Sequence, residues 1–208
     1  VTHRPRFDRA GPRMHGRLSA LLIAAGAVAA LASCGDPTAL EARLTNFERE
    51  LSVFALSGTH PNTVDAIQVR AVSPTLATPN GGFDIAFDLT DTGTVKLITA
   101  PFLFTEVVGT GSRVGLRDSP NLVFEEVIDP PRDLFVYDSV LVVPVGRTVL
   151  IDIIEPACAT ESILGINIKA KLRIDSIHLA DRRIFLRMVT NPNCGFRELV
   201  PGGQKPQE

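Results

Sequence analysis

The groups in this 208-residue chain that could do chemistry are three cysteines, four histidines and a few clusters among its 23 Asp and Glu. Setting Cys34 aside leaves Cys158 and Cys194 as an even pair, and in an oxidising compartment such a pair predicts a disulfide. Zinc is a poor fit, because the chain has no CxxC spacing and only His60 and His178 as imidazole donors beyond its first segment. No metal and no cofactor is expected. Glu125, Glu126, Asp129 and Asp133 surround "DPPRD" and offer oxygens to calcium, but they lack the glycine-punctuated spacing of a calcium loop and predict a solvated acidic loop. "GTGSRVG", Gly109 to Gly115, has the glycines of a phosphate cradle, yet a cradle must lead into a helix and "RVGLRD" reads as a strand. GxSxG is absent, so an esterase-type serine has no cue. His178 follows Ile174 and Ser176 on the inward phase of a strand, which predicts a hydrogen-bonded histidine near a sheet end. His60 precedes Pro61 in a turn-rich stretch and is expected to be solvated.

One further carboxylate stands out. "DTGT", Asp91 to Thr94, is similar to the active-site turn of the aspartic proteases. The resemblance implies that Asp91 is one of two aspartates sharing a proton, which in a single-copy chain requires a homodimer. The flanks depart from the family pattern, with Thr90 before the motif and Lys96 soon after it, where the family places apolar residues. Asp and Gly are also what a tight hairpin between Leu89 and Val95 requires, so a turn is the expectation and an aspartic hydrolase the alternative.

The first 34 residues carry the clearest signal. Arg4, Arg6, Arg9, Arg13 and Arg17 precede an uncharged run, "LSALLIAAGAVAAL", that ends in Ala32, Ser33 and Cys34. That is the layout of an export signal. As a helix the run would rise only about 21 Å, short of the ~30 Å that a stable span must cross. "LASC" resembles the lipobox of bacterial lipoproteins, and the resemblance implies removal of residues 1–33 and a diacylglycerol thioether on Cys34. Two or three acyl chains give lasting attachment where one gives marginal attachment. Gly35 stands where family members retained in the inner membrane carry Asp, which favours an outer membrane if the cell has one. Processing would remove five of the 21 Lys and Arg and one of the 23 Asp and Glu, leaving a formal charge of −6. An acidic domain repels phosphate backbones, so nucleic acid is not an expected partner.

The elements that must position these groups follow from periodicity. Residues 34–47, a lipidated tether or short helix, carry Asp36 as a cap, Pro37 in the first turn and Leu40, Leu44 and Phe47 at helical spacing. From about residue 48 to 199 the pattern is all strand. Phe83, Ile85, Phe87 and Leu89 alternate with polar or small residues, and so do Leu164, Ile166, Ile168, Ala170, Leu172 and Ile174 with Asn167, Lys169, Lys171 and Arg173, which predicts one buried and one wet face. Further runs at 51–56, 64–72, 95–98, 102–108, 113–117, 122–127, 134–143, 148–154 and 184–189 complete the candidates. Gly, Pro, Asn and Asp clusters separate them, and residues 200–208 read as a disordered tail. The sum is a single all-β domain, an antiparallel β-sandwich with a closed β-barrel as the alternative.

With the last two strands turning near Ala180 and Asp181, Cys194 faces the neighbourhood of Asn167, so a bridge to Cys158 must tie the intervening loop to the C-terminal segment. A chain without Trp and with one Tyr disfavours a sugar-stacking platform. The expected role is non-enzymatic: a lipid-anchored, extracytoplasmic domain for binding, assembly or envelope structure. Its expected partners are the membrane through its anchor and an envelope protein or apolar ligand. A barrel carrier of an apolar ligand is the alternative.

Overall fold

The computed structural model describes residues 42–80, 82–104 and 112–203. The leader, Cys34 with its lipobox, most of the tether, part of the 102–108 run and the end of the tail lie outside the described residues. No helix among the described residues is long and apolar enough to cross a membrane.

Two open antiparallel sheets face each other, so the closed-barrel alternative is corrected to a sandwich. The larger sheet runs in the order β1 (Phe47–Phe54), β11 (Arg183–Asn191), β10 (Asn167–His178), β9 (Thr148–Ile154), β6 (Arg113–Ser119) and β7 (Val136–Tyr137). The smaller one runs β3 (Ser73–Thr75), β2 (Ala66–Gln68), β4 (Ile85–Leu89), β5 (Val95–Thr99) and β8 (Val140–Val143). Alternation places Ile168, Ala170, Leu172 and Ile174 of β10, Val149, Ile151 and Ile153 of β9, and Ile85, Phe87 and Leu89 of β4 in one core. That core fills the space between the sheets with side chains, which leaves no barrel-type chamber between the described strands.

Several apolar runs serve other ends than strands. Pro101 opens a four-residue helix, α1 (Ala100–Leu103), where a strand from Phe102 was expected. Residues 122–127 form a 3-10 turn at Phe124–Glu126. Phe83 leaves the main core and meets Phe104 edge to face at 6.0 Å, in a satellite cluster on the outer side of the smaller sheet. A register shift between Ile174 and Ser176 reverses the phase of the strand end. His178 is therefore exposed, its Nδ1 2.6 Å from Asp181 Oδ1, and Ile177 packs against the core in its place.

The expected wet face of β10 is covered in its middle. Lys169 is 4% exposed and Lys171 1%. The segment around Phe124–Val127 and the C-terminal segment up to Leu199 lie over them, with Phe124, Val189 and Leu199 forming a small second core. These two straps are joined by Leu199 N donating to Ile128 O at 2.7 Å. A buried ammonium must be met by oxygens or lose its charge. Lys171 Nζ donates to Phe124 O and Val127 O, both at 2.8 Å, with the Phe124 ring 4.8 Å away. The chain beyond β11 is held too: Asn46 Nδ2 donates to Glu198 O and Val200 O, and Asn46 N to Gly203 O.

Lys171→Ala leaves two carbonyls without a donor and a void beneath the strap, and it is expected to lower stability by about 2–3 kcal/mol. Urea unfolding measures the loss, and faster hydrogen exchange at residues 124–127 would locate it; an unchanged midpoint would mean that the strap is held by other contacts.

Candidate functional site

At one end of the sandwich the sheets stop pairing and the connections diverge. β9 ends at Ile154, β10 begins at Asn167 and β11 ends at Asn191. The bridge that closes this end is the disulfide Cys158–Cys194, with Cα atoms 5.4 Å apart and both residues buried. It joins the first residue of a short helix, α2 (Cys158–Glu161), to the segment after β11, as the cysteine count and hairpin register predict. Gly195 N donates to Asn167 O at 2.8 Å, which puts Cys194 opposite the start of β10. Gly195 has φ +80°, and a Cβ there would fall 2.6 Å from Leu164 Cβ, so only glycine allows the two loops to approach this closely. Asn193 completes the closure: its Oδ1 accepts from Leu44 N at 2.9 Å and its Nδ2 donates to Leu44 O at 2.8 Å, pinning the chain just before β1.

At this end lies a cleft of about 440 Å³. Leu44, Phe47, Phe83 and Pro192 give it apolar walls, and Arg70, Asp84 and Glu155 bring charge to it. Asp84 sits just before β4, where its Oδ2 accepts from Val69 N at 2.6 Å. Burial pushes its carboxyl up to about 6; the Val69 N–H opposes that shift and the nearby Glu155 carboxylate adds to it. Glu155 is oriented by Ser112 Oγ at 2.9 Å. Arg70 turns to Glu161 across 2.5 Å, and that hydrogen bond holds the Glu161 carboxyl below its usual range. The cleft thus combines an apolar body with a carboxyl poised to change charge just below neutrality, in a volume suited to a small organic ligand.

The residues singled out from sequence are spread widely. Asp91 is exposed in the β4–β5 turn, where Thr90 N donates to Thr94 O and Gly93, at φ +76°, closes the bend. His60 is an exposed turn residue whose Nδ1 accepts from Asn62 N. The acidic loop is consumed by arginines: Glu125 pairs with Arg187 at 2.8 Å, Asp129 with Arg197 at 3.0 Å and Asp133 with Arg117 at 3.9 Å. Cys158, Glu161 and Cys194 come together, but the sulfurs are bonded to each other and are no longer thiolate ligands. Sequence reading missed Asp84 as a site residue. Its position on the polar phase of an alternating stretch looks solvated, and the walls that desolvate it come from four distant segments. No family model, no curated protein and no solved structure matches the chain.

A carboxyl with its pKa raised on folding binds its proton more tightly in the native state, so its contribution is present below about pH 4 and is lost as pH rises through about 6. Asp84→Asn removes that term. The difference in stability between the native chain and the variant is expected to move toward the variant by on the order of 2–3 kcal/mol between pH 4 and 7, and parallel urea titrations across that range would refute the shift if the difference stayed flat.

Proposed function

We propose that this chain is a lipid-anchored, extracytoplasmic binding domain whose ligand enters the cleft at the sheet ends. The observation that carries the reading is an apolar-walled space of about 440 Å³ with a carboxyl inside it poised near pH 6. The lipobox resemblance at Cys34 supports the anchor, and the Cys158–Cys194 bridge suits an oxidising compartment. Leu44, on the rim of the cleft, is ten residues from Cys34, a reach of at most about 35 Å even when fully extended. An acylated Cys34 therefore keeps the cleft close to a bilayer, where amphipathic molecules concentrate.

The chemistry of the lining selects the ligand class. Phe47, Phe83, Leu44 and Pro192 accept an apolar body, while Asp84 and Glu155 accept hydrogen bonds from its head group. Arg70 is turned away into its pair with Glu161. A small amphipathic amine fits this arrangement; a fatty acid of equal length would set a carboxylate against two others. Binding to the native state raises the melting temperature by mass action.

Two outcomes are expected. Octylamine raises the melting temperature by roughly 2–4 °C at saturating concentration while octanoate does not, and Asp84→Asn abolishes the difference; equal shifts for both compounds would reject the site. Separately, Cys34→Ser leaves the chain unacylated and moves it from the membrane to the soluble fraction, and an unmodified Cys34 in the mass spectrum of the native product would dispose of the anchor.

A further inference from the structure

A second cleft, of about 340 Å³, opens on the outer face of the larger sheet, over β9 and β10 and beside the C-terminal strap. Its floor is polar and buried. Asp152 is 2% exposed and is surrounded by donors: Tyr137 Oη at 2.6 Å and Asn167 Nδ2 at 3.1 Å from Oδ2, and Lys169 Nζ at 3.0 Å and Asn167 Nδ2 at 2.9 Å from Oδ1. That carboxylate is satisfied, and it is the one acidic side chain on the lining.

Of the three cations on the same lining, two have a carboxylate partner and one has none among the described residues. Lys169 Nζ has Asp152 as its charge partner and otherwise faces the Phe135 ring at 4.8 Å. Arg197 reaches Asp129 and Pro130 O through Nη2, but its Nε is buried without a hydrogen-bond partner. Arg132, at the mouth, is exposed and has no hydrogen-bond or ion-pair partner among the described residues. With Lys169 on Asp152 and Arg197 on Asp129, Arg132 leaves one unmatched positive charge at a recess of a chain whose formal charge is −2. A buried ion pair contributes little net stability compared with apolar packing. Placing Lys169 and Asp152 beneath an open cleft therefore fits a recognition floor better than a stabilising device.

We infer that this cleft is a second ligand site, one that takes a small oxyanion, a phosphate or carboxylate group, between Arg132 and Lys169. The planar guanidinium of Arg132 suits paired oxygens, and the ammonium of Lys169 acts as a point charge behind them. Phe196 and Leu164 supply an apolar side wall for the body that carries the anion. The site is independent of the end cleft and of the anchor, since none of its residues lines the first cleft. Two sources present this chemistry: a soluble organic anion and the head group of an acidic lipid.

The test uses the chain as it accumulates in cells, purified in neutral detergent, with inorganic phosphate as the probe. Calorimetric titration against a potassium chloride control of equal ionic strength is expected to show saturable one-to-one binding below about 10 mM, weakened at least tenfold in Arg132→Ala with an unchanged melting temperature. Arg132 makes no contact that folding needs, so the variant remains informative where Lys169→Gln, which strands Asp152, could misfold. In a second arm, vesicles of phosphatidylcholine with and without phosphatidic acid are offered. Arg132-dependent binding to the acidic vesicles identifies a head group, and binding to free phosphate without vesicle binding identifies a soluble anion. No saturable heat and no acidic-vesicle preference, or binding that survives Arg132→Ala undiminished, overturns the assignment.

Discussion

Both faces of β10 are covered over its middle, and much of the molecule follows from that constraint. A strand turns alternate residues to opposite sides, so packing Ile168, Ala170, Leu172 and Ile174 into the sandwich sends Lys169 and Lys171 outward. Covering that outer face with Phe124, Val189 and Leu199 buries the Lys171 ammonium, Lys169 is buried against Phe135, and each must then find oxygens. Lys171 takes the carbonyls of a 3-10 turn and so fixes the strap that covers it. Lys169 takes a carboxylate, and Asp152 in turn gathers Tyr137 from β7 and Asn167 from the start of β10. The polar residues on this face thus decide where the irregular segments lie, and the cleft beside the C-terminal strap is the space those segments leave open.

This arrangement explains which parts of the fold can be read from the sequence. Thr148–Ile154 is legible to the residue because it is apolar at all positions but Thr148 and Asp152 and is bounded by turn residues; both of its faces are buried. The all-β class and the cysteine pairing are legible for similar reasons: alternation and a count of two need no knowledge of distant contacts. The segment 122–127 is not, since Phe124 and Val127 are apolar to cover a sheet from outside rather than to join one. Lys171 reads as solvated because its cover comes from residues more than 40 positions away, and Lys169 because its partners, Asp152 and Phe135, lie outside its own strand. The phase of His178 was lost at one irregularity after Ile174, which no alternation rule anticipates. Asp84 fails to announce itself for the same reason as the lysines: a carboxylate on the polar phase of a strand looks alike whether its surroundings are water or Phe47 and Phe83.

The disulfide takes its importance from where it sits. β9, β10 and β11 stop pairing at about the same level, and past that level backbone hydrogen bonds no longer set the spacing of the chains. A cross-link closing a loop of this length stabilises by about 3–4 kcal/mol in the chain-entropy model, yet that gain is spread over the whole fold. Its local effect is more specific. It holds the segment after β11 against the loop after β9, with Gly195 pressed on Leu164 and Asn193 gripping Leu44. Pro192 and Glu155 from these segments wall the end cleft, and Gly195, Phe196 and Leu164 wall the outer one. One covalent bond therefore fixes the spacing of both clefts, and such a constraint lowers the ordering cost that a ligand would otherwise have to offset. At the opposite end the β10–β11 turn is tied by hydrogen bonds rather than a covalent bond, with Arg182 Nε donating to Ser57 O at 2.6 Å and Ala55 N to Arg182 O at 2.9 Å. The covalent tie thus sits at the same end as the grip of Asn193 on Leu44, just before β1.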